Sequence, residues 1–584
     1  MILVGLGITF HDSSIAIYDN GKIIYWKAER ETGRKHAYAT LTQQLKKASS
    51  LVSGPIDEIA LTGWSDTDPK FTEKDNLTWI NHHYAHVLSN TKHFDNSLVV
   101  DGAFTSPERD REAGVIPTVG ELNSTIPHSY DVHGCYYNNG NIEHITKMSQ
   151  PHFMYSIGRA MGLEPKLTDV NCNISFEENN NADKFDLGVF STKDLWEEYY
   201  KYVVKLIRKQ YGPSAVPELQ EYSDKHKQSI QGNICNALDT PGKMMGLSAY
   251  HKLNLGDLEA LDNWFRQWTI DERDYHTYSF KNQNIFANQL GNQRHFLSPL
   301  LDKYANKIKL APDPIKKGIP INGRIHEFGG MMMDWYASHM KTDTFSYSGG
   351  IAQNVVWNRR LIDRGFKVWI EPWAYDGGQS IGALHYLLDK HDIERPHTDD
   401  YKQHDEAPES YPSDDTLEKI ADLIAEGKTV GWYQGNGEVG PRALGYRSIL
   451  ANPTLKNGKD IINRVKKREW FRPFGASVKE DKASQFFDIS NSRYMLFNSQ
   501  VLYSGIPAVT HVDGSCRHQT VPEKHELYYR LLDKVEDKIG VPIVLNTSLN
   551  RQGEPISGSI RQAKQLYQES ELDALCVGSE LSIK

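Results

Sequence analysis

Cysteine is scarce and scattered along the chain. There are five, at positions 135, 172, 235, 516 and 576, an odd count with no C-x-x-C pair. That pattern excludes a disulfide framework and fits a reducing compartment. Long apolar runs are missing too: none approaches the roughly 18 residues needed to cross a membrane. The apolar opening, MILVGLGITFHDSS, has no basic leader and is broken by Gly5, Gly7 and His11. It reads as a buried strand and not as a signal peptide. These absences predict a cytoplasmic protein, or one of the host cytoplasm if its source is viral, without a membrane partner. There is also no surplus of positive charge. Lys and Arg number 66 against 75 Asp and Glu, a net charge of -9. That argues against a whole-surface nucleic-acid binder but leaves room for a local basic groove. Finally, there is no phosphate-binding P-loop, no dinucleotide fingerprint, no internal repeat of 20–50 residues and no long low-complexity tract.

What the chain does have is length and apolar material. Its 584 residues are 39% hydrophobic, and single cores rarely grow beyond roughly 250–300 residues, so more than one domain is expected. The start predicts a strand (ILVGLGI), a second strand (IAIYD) and a third (KIIYWKAE). The Asn20-Gly21 pair between the last two is a hairpin turn signal. SLVVDGA over residues 97–103 reads as another strand. FSYSGGIAQN and KVWIEPWAYDGGQSIGALHYLL each read as strand, Gly-rich turn and helix. Strands alternating with helices predict an α/β class. Residues 389–414 are charged, contain proline and have almost no aliphatics, so they read as a linker. LEKIADLIAEGKTVGWYQ then predicts an amphipathic helix and a strand. The expected division is a domain over 1–388, a linker over 389–414 and a second domain over 415–584.

Three constellations carry chemistry. In NHHYAH, His82 and His86 stand four apart, so on a helix they share a face, and two imidazoles there hold a divalent metal if an acidic residue completes the site. Chance clustering among 23 histidines is the competing reading. The second is a set of Gly-rich turns with Asp or Ser beside them, at Asp101-Gly102, Ser348-Gly349-Gly350 and Asp376-Gly377-Gly378. Such turns let backbone approach phosphate closely, though any one of them alone reads as a plain turn. The third is the most specific. EVGPRALGYRSIL and NRVKKREWFRPFG crowd Arg442, Arg447, Lys466, Lys467, Arg468 and Arg472 into about thirty residues. Gly-Pro and Arg-Pro steps there predict fixed loops. Arginine forks bind phosphate and carboxylate bidentately. With Arg517, Asn546, Ser548 and Asn550 they describe a pocket for a small polar anion, against the alternative of a structural charge network.

On these residues the chain resembles the O-carbamoyltransferase family that includes nodulation-factor, cephamycin and tobramycin enzymes. The resemblance runs through GITFHDSSIAIYDNGKI, AERETGRKH, NHHYAH, VVDGAF, PGKMMGLSAY, SGGIAQNVVWN, AYDGGQSIGA, EVGPRALGYRSIL, NRVKKREWFRPFGASV, HVDGSCRHQTV and PIVLNTSLNRQGEPI. It implies an N-terminal actin-like ATPase (ASKHA) domain and a C-terminal YrdC-like α/β domain. It implies that carbamoyl phosphate and ATP give carbamoyl-AMP, which then carbamoylates an alcohol. His82 and His86 match the family's metal ligands, Asp376 the carboxylate that completes them, and the divalent metal is Fe2+ or Mg2+/Mn2+. His11 matches a general base, with Asp12 beside it and Lys35 and Asp101 lining the same site. Lys243, Gly349, Gly350 and Asn354 match the nucleotide region. Lys466, Arg472, Arg517 and Ser548 match carbamoyl-phosphate contacts, with Arg442 or Arg447 as a further one; Arg468, Asn546 and Asn550 are grouped with them. Departures fall at Glu31, where an aromatic is common, and at GYRS and RPFGAS. They leave these groups intact and bear on the acceptor.

The acceptor is read toward the 5-hydroxymethyl group of a modified cytosine or uracil in DNA, as in a phage-encoded branch of the family. KYVVKLIRKQYG (Lys201, Lys205, Arg208, Lys209), KNQNIFANQLGNQRHF and abundant Tyr and Trp offer basic and stacking surface. The net charge favours the alternative, a sugar or natural-product hydroxyl. Threonylcarbamoyl-type tRNA modification and a non-catalytic binding module are further alternatives. The basic motif pair speaks against the first, and retention of His11, His82, His86 and Asp376 speaks against the second. A homodimer is also an expectation.

Overall fold

The computed structural model describes residues 1–9, 12–37, 39, 41–63, 73–74, 76–92, 95–105, 118–119, 132–145, 157–158, 160–163, 240–250 and 299–584. Strands β1 (Ile2–Ile8), β2 (Ser14–Asp19) and β3 (Lys22–Lys27) form an antiparallel meander. Asn20 and Gly21 make the turn at φ 50° and 95°, the left-handed backbone a tight hairpin needs. β4 (Glu58–Gly63) then pairs parallel to β1, and β6 (Leu77–Ile80) parallel to β4, with the short β5 (Glu73–Lys74) on the edge. β1 is buried along its whole length, as a central strand covered on both faces must be. Ile2, Val4, Leu6 and Ile8 fill one core, while Leu3 faces another with Leu384 and Leu387.

The second sheet repeats this plan. β7 (Asn96–Thr105), β9 (Val132–Asn138) and β10 (Asn141–Ile145) form the antiparallel meander, with β8 (Thr118–Val119) beside β10. β11 (Thr344–Ser348) pairs parallel to β7 and β12 (Lys367–Trp369) parallel to β11. In both sheets the first strand of the meander receives the later parallel strands on its open side. The helix Gln379–Lys390 follows β12 and returns to the first sheet. A Cβ at Gly5 would lie 2.1 Å from Ser380 O, so only glycine admits the helix this close.

The third sheet is mixed and seven-stranded. It comprises β13 (Val430–Tyr433), β14 (Arg447–Ala451), β15 (Gly475–Lys479), β18 (His518–Val521), β19 (Ile543–Ser548), β20 (Ala574–Val577) and β21 (Glu580–Ile583), in the order β18-β15-β19-β14-β13-β20-β21. A small pair, β16 (Ser499–Gln500) and β17 (Ser515–Cys516), lies apart. The helices Asp414–Ala425 and Glu526–Ile539 bury Leu417, Ile420, Leu531 and Val535 against one face. No helix among the described residues is long and apolar enough to cross a membrane.

The expected α/β class and opening hairpin are present. The third strand is shorter than its sequence suggests. It ends at Lys27, and AERET forms a one-turn helix closed by Gly33 at φ 68°. Residues 389–414 are an anchored strap. Asp389 and Lys390 complete the preceding helix. Gln403 bridges Tyr25 and its N–H donates to Gly437 O at 2.9 Å; Glu406 N–H donates to Gly558 O at 3.2 Å. Polar composition here reflects hydrogen bonding to two domains, which a linker signal does not distinguish from solvation.

Candidate active site

His82 and His86 open the helix His82–Leu88, which follows β6. Asn81 caps it, accepting from Tyr84 N–H at 3.0 Å. The four-residue spacing puts both imidazoles on one face, ring centres 5.1 Å apart. Asp101, on β7, and Asp376, in the 3-10 turn after β12, face them. His82 Nε2 lies 2.9 Å from Asp101 and 3.9 Å from Asp376; His86 Nε2 lies 3.6 Å and 3.4 Å from the same carboxylates. All four are buried, with ligand atoms within 4.8 Å of one another. Burial opposes charge on His86, but the two carboxylates override it and push its pKa up to about 9. Burial likewise opposes charge on Asp101, and the two histidines hold it well below the usual carboxylate range. Neither ring nitrogen of His86 makes a hydrogen bond. Two imidazoles and two carboxylates with such unsatisfied nitrogens fit a divalent cation. Asp101, grouped in the sequence with catalytic residues, stands together with the three expected ligands His82, His86 and Asp376. Its Oδ1 also accepts from Gly350 N–H at 3.2 Å.

Lys27 sits beside this centre. Its ammonium donates to Asp12 at 2.7 Å, Glu29 at 2.9 Å and the Tyr375 hydroxyl at 2.8 Å. Burial works against its charge, but Asp12 and Glu29 hold its pKa well above the ordinary lysine value. His36 Nδ1 lies 3.1 Å from Asp12. Asp12 and His36 both adopt left-handed backbone, φ 62° and 55°, a strain that concentrates at functional sites. Lys27, Glu29, His36 and Tyr375 were not singled out from the sequence. The signal available was the charge-dense AERETGRKH, which lies far from Tyr375 in the chain. His11 lies outside the described residues, as do Lys201, Lys205, Arg208, Lys209 and the stretch 281–296.

The basic cluster forms in the C-terminal domain. Burial pushes the Arg442 guanidinium well below its usual range, and Arg517, Arg472 and Arg468 add to the effect. Burial brings Arg517 down to about 10, with Arg472 contributing. The Nε atoms of Arg442 and Arg517 are buried without a hydrogen-bond acceptor. Crowded guanidiniums with unmet donors favour an anion. Arg442 also donates to Gln353 O at 3.1 Å, which joins this pocket to the loop after β11.

Other expected anion contacts are placed differently. Arg447 is fully buried and turned away: it bonds Asp405 at 2.9 Å and Gln434 O at 2.7 Å, and stacks 3.6 Å over Tyr433. It anchors the strap. The Lys466 ammonium is surrounded by Ser548 O, Asn550 O at 2.8 Å and Asn550 Oδ1 at 2.7 Å, so it organises the loop carrying Ser548 and Asn550. Asn546 is buried between Ala443 O and Ser477 Oγ, at 3.1 and 2.8 Å. Lys243 bonds Leu163 O at 2.7 Å and Glu469 at 2.8 Å, tethering the basic loop. Asn354 caps the helix Val355–Asp363. Gly349 has φ 96°, and a Cβ there would meet Val100 O at 2.2 Å, so its part is the close packing of β11 on β7.

Fold and site together define an α/β protein with a buried His/Asp cluster able to hold a cation and a separate arginine cluster. Residues 421–584 match the carbamoyltransferase C-terminus model and residues 228–384 the carbamoyltransferase N-terminus model. These stretches cover more than half of the chain, which belongs to the carbamoyltransferase family. It is 37% identical over 265 residues to nodulation protein NolNO of Sinorhizobium fredii, covering 40% of this chain and 39% of the relative. It is 36% identical over 227 residues to nodulation protein U of Azorhizobium caulinodans, covering 35% and 39%. The matched stretches therefore span about two fifths of the length of these relatives. Component A of the Acidaminococcus fermentans (R)-2-hydroxyglutaryl-CoA dehydratase aligns with 67% of this chain and 99% of its own at 10% identity; its TM-score of 0.27 is too low to bear on fold or ligand.

Proposed function

We propose that the protein is an ATP-dependent O-carbamoyltransferase. The observation that carries this is the cluster of Arg442, Arg468, Arg472 and Arg517, in which the Nε atoms of Arg442 and Arg517 are buried without an acceptor, in a chain of this family. There water would cleave carbamoyl phosphate to carbamate and phosphate, and a carbamate oxygen would then attack the α-phosphorus of ATP, breaking its bond to the β-phosphate oxygen to give carbamoyl-AMP and pyrophosphate. The guanidiniums hold the anions and stabilise charge that develops on phosphoryl oxygens. Transfer follows at the His/Asp centre. The acceptor oxygen bonds the carbamoyl carbon, the bond from that carbon to the AMP oxygen breaks, and a base takes the hydroxyl proton. His11 is the proposed base, with Asp12 and Lys35 beside it. His82, His86, Asp101 and Asp376 would hold a divalent ion, which would supply Lewis acidity toward a carbamoyl or phosphate oxygen. The repeated topology of the first two sheets supports an actin-like ATPase fold for residues 1–388. The mixed third sheet carries the adenylate-forming part, read as YrdC-like.

The proposed acceptor is the 5-hydroxymethyl group of a modified pyrimidine in DNA. Incubation with carbamoyl phosphate, ATP and a panel of acceptors tests it by mass spectrometry. A gain of one carbamoyl group on hydroxymethylcytosine-containing DNA is expected. Gain on a sugar or a natural-product hydroxyl alone replaces that acceptor, and no gain on any member of the panel overturns the transferase reading.

A further inference from the structure

We propose that Tyr25 and Lys27 are positioning residues for the metal-centre carboxylate Asp376, gripping the turn on both sides of it; this rests on the reading of the His/Asp cluster as a cation site. Alternation along β3 puts Tyr25 and Lys27 on one face of the strand. That face meets the turn Asp376–Gly378 from a segment about 350 residues earlier in the chain. The Tyr25 hydroxyl donates to Gly377 O at 2.8 Å. The Lys27 ammonium donates to the Tyr375 hydroxyl at 2.8 Å. The residues on either side of Asp376 are therefore each held by one polar contact from the same strand.

The turn has little freedom to place Asp376 by itself. A Cβ at Gly377 would fall 2.7 Å from the Tyr375 ring, and one at Gly378 would fall 2.3 Å from Trp373 O. The backbone folds back on its own neighbours, and the Tyr375 ring becomes part of the turn. Fixing that ring fixes the turn. Lys27 suits the task because its three protons have three acceptors, Asp12, Glu29 and Tyr375. A buried ammonium demands paired carboxylates, and a methionine would fill the same space without them. What the charge adds is direction: two protons are anchored in rigid acids and the third is aimed at one oxygen. Tyr25 is held in turn from outside, since its carbonyl accepts from His404 N–H of the strap. Ligand orientation at metal centres depends on such outer partners, and losing one typically weakens metal affinity roughly 10–100-fold.

The test is Mn2+ binding to the full-length protein by calorimetric titration, with the Mn2+ electron paramagnetic resonance spectrum as a second readout. Tyr25→Phe and Tyr375→Phe each remove one oxygen and keep the ring. Each is expected to weaken Mn2+ binding roughly tenfold or more and to alter the spectrum at an unchanged melting temperature. Lys27→Met is expected to weaken Mn2+ binding likewise, but at a lowered melting temperature, since it leaves Asp12 and Glu29 buried without their cation; Lys27→Arg should partly recover both. Asp376→Asn serves as the ligand control. If all three positioning variants bind Mn2+ as the wild type does while Asp376→Asn does not, the positioning role falls and the cation site stands. If the wild type itself binds no Mn2+, Fe2+ or Mg2+, the cation reading falls and the inference with it.

Discussion

Arginines 442 and 447 stand five positions apart in one motif and have opposite fates. Arg442 is partly buried, with its Nε buried and unmet, among Arg517, Arg472 and Arg468. Arg447 also has a buried Nε without an acceptor, but both of its terminal nitrogens are taken up by Asp405 and backbone carbonyls. Their replacement should separate binding from stability. Carbamoyl phosphate at about a hundred times its Kd should stabilise the wild type by about 2.7 kcal/mol, seen as a rise in melting temperature. Arg472→Ala should abolish that rise and adenylate formation together, while leaving the unliganded melting temperature nearly unchanged. Arg447→Ala should leave Asp405 buried and unpaired and lower stability by roughly 3–5 kcal/mol, with the phosphate-dependent rise retained in what still folds. Equal loss of that rise in both variants would contradict this division. The sequence shows arginine density and loop chemistry. It does not show which guanidinium finds a carboxylate in the strap, because Asp405 is brought to Arg447 only by the packing of the strap on the third sheet.

At the scale of elements, the decisive contact is between the helices His82–Leu88 and Gln379–Lys390. A Cβ at Gly382 would lie 2.0 Å from Ala85 O, so the helices touch backbone to backbone. Gly382→Ala should force them apart and cost roughly 1–3 kcal/mol, read by urea unfolding. It should also weaken Mn2+ binding, since one helix begins with His82 and the other follows Asp376; unchanged affinity would mean that the centre tolerates the shift. Legibility divides along the same line. The hairpin at Asn20-Gly21 and the pairing of His82 with His86 were readable because each depends on neighbours within four residues. The approach of Asp101 to His82, and of Lys27 to Tyr375, was not, because it depends on strand register across separate sheets. The end of β3 at Lys27 was missed for a related reason: AERET is half strand-like by pattern, and Gly33 closes the helix from beyond it.

For the whole molecule, acid should be a strong denaturant. Burial lowers the pKa of His326 and His518 to about 3, and burial with Lys402 nearby lowers that of His525 to about 4. His518 stacks on Phe487 with ring centres 4.1 Å apart. Each folded-state pKa lies below the unfolded value of about 6.5. The unfolded chain therefore binds more protons as pH falls, and the stability these histidines contribute is full above about 6.5 and is lost on descent toward 3 to 4. Each should add a slope of up to about 1.4 kcal/mol per pH unit in that window. Urea midpoints at pH 7, 6 and 5 measure the slope, and His518→Gln should make it shallower. Identical slopes would show that the ring is protonated at little cost in the fold.

The origin of the four residues of the proposed cation site also has a consequence for biosynthesis. His82 and His86 follow the last strand pairing of the first sheet, while Asp101 and Asp376 come from the first and last parallel strands of the second. Three of these residues leave the ribosome early, and the fourth is made nearly three hundred residues later. Metal capture in full coordination must then wait until β11 and β12 have joined the second sheet. An ion seated there would mark, during synthesis, the moment at which the two repeated halves have closed on one another.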